Sequence, residues 1–174
     1  MRSLTSAGGF SLLEVMVAAA VLAGAVLSAA QLFAAATAST ADARTMSEGT
    51  VLAWQKVEQL RSLAFSSDDA GQSVTDTTTD TAAWPERAFG GTGLDTSPAG
   101  ALDRDTPGYV DYLDAVGEPL DPAVPPPRGA RYRRRWAIEP AGGPDLLVLR
   151  VRVLPVGREV DAARVVALRA RRLP

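Results

Sequence analysis

The chain has neither cysteine nor histidine among its 174 residues. Without cysteine there is no disulfide to staple a small domain and no thiol redox chemistry. Without histidine there is no Ser-His-Asp or Cys-His catalysis, no His-ligated zinc and no ordinary general base near neutral pH. Carboxylates alone remain for acid–base work, and no enzymatic activity is expected. Neither absence identifies a compartment. Proline is missing as far as Pro85, so nothing of that kind interrupts a helix in the first half of the chain. Charge is missing between Val15 and Ala41, a run of 27 residues. About 20 apolar residues are enough to cross a bilayer as a helix, so this run is long enough.

What is present divides the chain into segments. Residues 1–9 are short, polar to small, with Arg2 as the one charge. Residues 10–41 are nearly all apolar or small, interrupted by Glu14 and a few Ser, Thr, Gln and Gly. Residues 42–65 continue as an amphipathic pattern, with Met46, Thr50, Ala53, Trp54, Val57, Leu60 and Ala64 at steps of three or four. Glu48, Lys56, Glu58 and Arg61 fall elsewhere on that wheel. Gly49 weakens the helix by about 1 kcal/mol relative to alanine, which a long helix tolerates. One continuous helix is expected from Phe10 to near Phe65, roughly 80 Å long.

The remainder changes character twice. Residues 66–127 carry twelve Asp/Glu against two Arg, and residues 128–174 carry twelve Arg against four Asp/Glu. Such opposite charge sets the two regions against each other or on opposite faces. The acidic region is rich in Thr, Ser, Gly and Pro and reads as a variable loop region, with Thr75–Thr81 nearly low-complexity. Within it, Tyr109–Leu113 reads as a short strand followed by a turn at Asp114–Gly117. Residues 128–174 alternate with a period of two and read as three antiparallel strands. One face of that sheet is expected to lie on the amphipathic half of the helix, and the other to carry Arg to solvent. The fold class is therefore α+β: a long N-terminal transmembrane and amphipathic helix packed on a small C-terminal antiparallel sheet.

Gly9-Phe10-Ser11-Leu12-Leu13-Glu14-Val15-Met16-Val17-Ala18 closely resembles the signature of type IV prepilins. Each position has a physical reason. Gly9 lacks a Cβ, so its backbone can approach a peptidase site closely. A carboxylate inside an apolar span is expensive, on the order of 3 kcal/mol at a helix centre, and Glu14 near the end still seeks a partner. The resemblance implies cleavage between Gly9 and Phe10 by a prepilin peptidase and N-methylation of Phe10. It also implies that Glu14 meets the methylated amino terminus of an adjacent subunit, setting register during assembly.

Residues 1–9 would then be a leader peptide, and the precursor an inner-membrane, single-pass protein with an extracytoplasmic head. It would later join a pilus or pseudopilus filament, with other pilin or pseudopilin subunits and the inner-membrane assembly platform as partners. A secretory signal peptide cleaved after Ala36-Thr37-Ala38 is disfavoured by the length of the apolar run. A plain anchor explains neither Glu14 nor the Gly-Phe junction.

Leu52–Arg61, Gly108–Asp114 and the Tyr132–Trp136 strand look like minor pilins and minor pseudopilins. The missing C-terminal cysteine pair and mid-helix proline point the same way. The expected function is a structural one, as a minor pilin. The rivals are a minor pseudopilin of type II secretion and a filament-tip adhesive subunit.

Two weaker patterns remain. Asp103, Asp105, Asp111 and Asp114 fall on positions 1, 3, 9 and 12 of a calcium-loop template. Pro107 occupies position 5 and no helices flank the loop, so solvated carboxylates on a hairpin are the preferred reading and no cofactor is expected. Arg131, Arg133, Arg134 and Arg135, interleaved with Tyr132 and Trp136, have the composition of a nucleic-acid surface. Strand alternation splits them between two faces, so contact with the acidic region or with solvent is preferred over DNA. Trp54, Trp84 and Trp136 are read as core or interface residues.

Overall fold

The computed structural model describes residues 10–120 and 126–172. Gly9, with the rest of residues 1–9, lies outside the described residues, as does the start of the Pro125–Pro127 run. One helix, α1, spans Leu12–Ser62. It starts two residues after the expected point because Ser11 caps it. It stops before Phe65 because Phe65–Ser67 forms β1, paired antiparallel with β2 (Ser73–Thr75).

The chain divides into two compact units, residues 1–43 and 44–174. In the first, every described residue is exposed, including Phe10, Leu13, Met16, Leu22, Leu27 and Phe33. The helix here is long and apolar enough to cross a membrane. A helix apolar all round has no single face to bury against a small domain, so its surface calls for an apolar surrounding.

In the second unit, residues 44–62 of α1 pack on a five-stranded sheet. Its strands are β3 (Val110–Leu113), β4 (Pro119–Leu120), β5 (Tyr132–Pro140), β6 (Leu146–Pro155) and β7 (Ala163–Ala170), in the order β4-β3-β5-β6-β7. All neighbouring pairs are antiparallel. The α+β class stands. The three strands expected after residue 128 are present, and the acidic region adds β3 and β4 beside them. Between β3 and β4 the Asp114 carboxylate accepts the Val116 and Glu118 N–H groups at 2.8 and 2.9 Å, and Gly117 takes φ +88°. That is turn chemistry suited to Asp and Gly at those positions.

Register fixes two faces. Trp136 lies opposite Val151, and Val151 opposite Val165; Ile138, Leu149 and Ala167 form the next row. These rows meet Leu52, Ala53, Val57 and Leu60 of α1 in one buried cluster. Full burial of a large apolar side chain stabilises by about 1.5–3 kcal/mol, so the Trp136 and Ile138 rows anchor the unit. The helix comes close here because of Gly49. A Cβ at that position would lie 2.7 Å from the Ala162 Cβ, closer than two carbons pack. The residue that weakens the helix locally is the one that lets it seat.

Of the expected stripe Ala53, Val57 and Leu60 are buried, whereas Thr50 and Ala64 are exposed. Met46 and Trp54 are exposed as well, and Lys56 is buried at 1% exposure. Lys56 belongs by spacing to the Leu52, Ala53 and Leu60 face, and an acid–base cluster beneath it makes the position habitable. The opposite sheet face also departs from expectation: instead of presenting Arg133, Arg135 and Arg152 to solvent, it is covered by Leu102, Asp103 and Asp105. Thr75–Thr81 is mostly loop, as expected, and is held by its own side chains. The Asp76 carboxylate there accepts the Thr78 and Thr79 N–H groups and the Thr79 hydroxyl.

Candidate functional site

Of the three residues expected to carry processing and assembly, Phe10 and Glu14 are described and Gly9 is not. Phe10 precedes the helix and is 82% exposed. Ser11 is the N-cap: its hydroxyl accepts the Glu14 N–H at 3.2 Å, and its carbonyl accepts the Glu14 and Val15 N–H groups. The spacing Ser11-x-x-Glu14 is that of a capping box, with Ser at the cap and Glu at the third helical position. The role of Ser11 is legible in that spacing. Glu14 thus sits in the first helical turn, where the helix dipole favours a negative charge by about 0.3–1 kcal/mol. Its carboxylate has no ion-pair partner among the described residues. The position combines an exposed aromatic start, a capped helix and an acid facing outward from an apolar rod.

The second unit holds a different charge arrangement. The Lys56 ammonium donates to the Thr81 carbonyl at 2.7 Å, lies 2.8 Å from Asp111 Oδ2 and stands 4.1 Å over the Trp136 ring. Arg134 donates to both Asp111 oxygens, at 3.0 and 2.7 Å, and to the Leu52 carbonyl at 2.8 Å. Asp111 and Arg134 are cross-strand partners on β3 and β5, so the sheet register itself puts them together. Burial, only partly offset by Asp111, pushes the Lys56 amine down to about 8. Burial pushes the Asp111 carboxyl up, but Lys56 and Arg134 outweigh it and hold it below the usual carboxylate range. A buried amine of depressed basicity has the electronics of a nucleophile. Here its contacts are filled by Thr81, Asp111 and the indole face. A cleft of about 440 Å³ lies against this cluster, with Lys56, Asp111 and Arg134 in its lining beside Trp84 and Glu86, though Lys56 is almost fully buried.

The four aspartates of the calcium template do not converge. Asp103 pairs with Arg152 at 3.1 Å, and Asp105 with Arg135 at 2.8 Å and Arg133 at 3.3 Å. Asp111 is buried under the helix, and Asp114 holds its turn. Among the described residues, no group of three or more carboxylates is placed to hold a metal. Burial raises the Asp105 carboxyl, and the Arg135 and Arg133 guanidiniums reverse that and lower it. Of the four clustered arginines, Arg133, Arg134 and Arg135 are thus taken up by aspartates of the acidic region. Arg131 is exposed beside the Tyr132 ring.

The sequence asymmetry between acidic and basic halves resolves into these pairs. Trp136 is core, while Trp54 and Trp84 are 45% and 61% exposed. One link was not foreseen: the Tyr132 hydroxyl donates to Glu48 at 2.6 Å, tying β5 to the helix. That bond, ahead of Arg44, lowers the Glu48 carboxyl. No family model, no curated protein and no solved structure matches the chain.

Proposed function

We propose that the protein is a structural subunit of a type IV pilus-like filament, made as a prepilin and assembled through its N-terminal helix. The carrying observation is the start of that helix. A Gly9-Phe10 junction leads into the Ser11 cap and a first-turn Glu14, followed by 27 residues without charge. A secretory peptide has no use for the acid, and a plain membrane anchor has no use for the junction. A subunit that leaves the bilayer for a helical bundle uses both. Its apolar surface is held by lipid before assembly and by neighbouring helices afterwards. The acid neutralises a neighbour's amino terminus where water is scarce.

The head supplies no competing chemistry of equal weight. Its buried charges, Lys56, Asp111, Arg134 and Arg135, are met by opposite charges and fix the register between helix and sheet. The finer assignment, also proposed, is a minor rather than a major subunit. Mature protein purified from a host with a prepilin peptidase is expected to begin at N-methylated Phe10, and replacing Gly9 by Leu should leave the precursor uncut. A mature start at Ser39, or retention of Met1 alongside an active peptidase, would overturn the proposal.

A further inference from the structure

Strand β7 closes one side of the sheet, and over most of its length its outer edge has no strand partner among the described residues. Arg171 N–H bonds inward to the Asp145 carbonyl, whereas Arg172 bonds outward to β1 through Phe65 and Ser67. Alternation along the strand then turns the backbone groups of Arg164, Val166 and Leu168 away from β6. The Leu168 carbonyl meets only the Arg61 guanidinium there, at a long 3.4 Å. Val166 and Leu168 also present exposed side chains, at 56% and 58%. An edge of this length without proline is a template for an added strand.

The space beside it is built for one. A polar cleft of about 460 Å³ runs between the end of α1 and β7, lined by Glu58, Arg61, Ser62, Leu168, Arg169 and Ala170. Its charge is out of balance. Arg169 gives one nitrogen to the Leu63 carbonyl at 2.8 Å, but its buried Nε has no partner among the described residues. Burial first, then the neighbouring Arg61 and Arg172, depress the basicity of Arg169, with Glu58 the opposing charge. Glu58 itself is shared with Arg61 at 3.3 Å. Arg164 on the outer face is half exposed and pairs loosely with Asp161 at 3.7 Å. A second copy of β7 would bring the same positive cluster against itself, so self-pairing does not suit this edge.

We propose that the β7 edge docks an extended acidic segment of a partner protein, which adds a sixth strand to the sheet. Carboxylates at alternate positions meet Arg61 and Arg169 on the helix side, and apolar residues between them cover Val166 and Leu168. Main-chain hydrogen bonds to Val166 and Leu168 supply the pairing, and the arginines supply the choice of sequence. This holds whatever the apolar helix assembles into.

The test uses the full chain in detergent micelles and a capped hexapeptide of alternating Glu and Val. Binding is read by fluorescence anisotropy and by the amide resonances of Arg164, Val166 and Leu168. The Glu/Val peptide should bind saturably, shift those three resonances and weaken as salt is added. The same peptide with Lys for Glu should not bind. N-methylation of the peptide's edge-facing amides should weaken binding about tenfold or more, since it removes the main-chain donors that pair with the edge. Val166→Pro should do the same from the protein side. Saturable binding of the Lys peptide, an N-methylated peptide that binds as well as its parent, or no binding of the Glu/Val peptide would each overturn the proposal.

Discussion

Residues 12–43 and residues 44–62 belong to one helix and meet the cost of placing charge on apolar surface in opposite ways. In the later stretch Lys56 is buried, and the chain provides everything it needs: Asp111, the Thr81 carbonyl and the Trp136 ring. In the earlier stretch Glu14 has its backbone capped by Ser11, while its carboxylate has no ion-pair partner among the described residues and the apolar surface behind it is exposed. A self-sufficient charge belongs to folding. A charge left open at the mouth of an apolar rod belongs, on the function proposed above, to assembly. The comparison predicts that changes in the later stretch act on stability of the head, and that changes at Glu14 leave that stability alone.

The largest break in the comparison should come from Asp111→Ala. It strands two buried cations, and removal of one partner from a buried ion pair typically costs about 3–5 kcal/mol. Denaturant unfolding of the full chain in micelles, followed by near-ultraviolet dichroism of the buried Trp136, should show that loss; a loss below about 1 kcal/mol would mean that the cluster is dispensable.

Gly49→Ala should rank next. Its helix-propensity gain of about 1 kcal/mol is set against overpacking on Ala162, typically about 1–3 kcal/mol. Net destabilisation of the head is expected, and an increase in its melting temperature would show that Ala162 yields freely.

The most gradual effect is a pH dependence. The folded-state Lys56 value of about 8 lies below the 10.5 of the free side chain. Between those limits the unfolded chain holds a proton that the folded chain has released, so stability rises with pH through that window. The slope is at most about 1 kcal/mol per pH unit. Above pH 10 the raised hydroxyl values of Tyr109, Tyr112 and Tyr132 oppose it, since the unfolded chain loses those protons first. Lys56→Met should flatten the rise between pH 8 and 10. An unchanged profile in that variant would assign the dependence to other groups.

Much of this was legible in the sequence because it rests on period and composition. The uncharged run, the alternation of Tyr132, Arg134, Trp136 and Ile138, and the Asp114–Gly117 turn each follow from local rules. What escaped depends on long-range contact. Lys56 reads as a solvent residue until Asp111, 55 positions away in the chain, is placed beneath it by pairing with Arg134. Gly49 reads as a weak point until Ala162 is brought against it. The acidic region reads as loop because its aspartates act one at a time on arginines of distant strands, a pattern without period. At the candidate site the Ser11-x-x-Glu14 cap follows from spacing, whereas the Gly9-Phe10 junction and the role of Glu14 rest on the resemblance to prepilins.

The most direct measurement compares wild type with Glu14→Gln in the native host, quantifying each in sheared filaments alongside the thermal unfolding of each head. A variant that is depleted from filaments while its head melts as wild type does is the predicted result. Incorporation at the wild-type level would contradict assembly through this carboxylate.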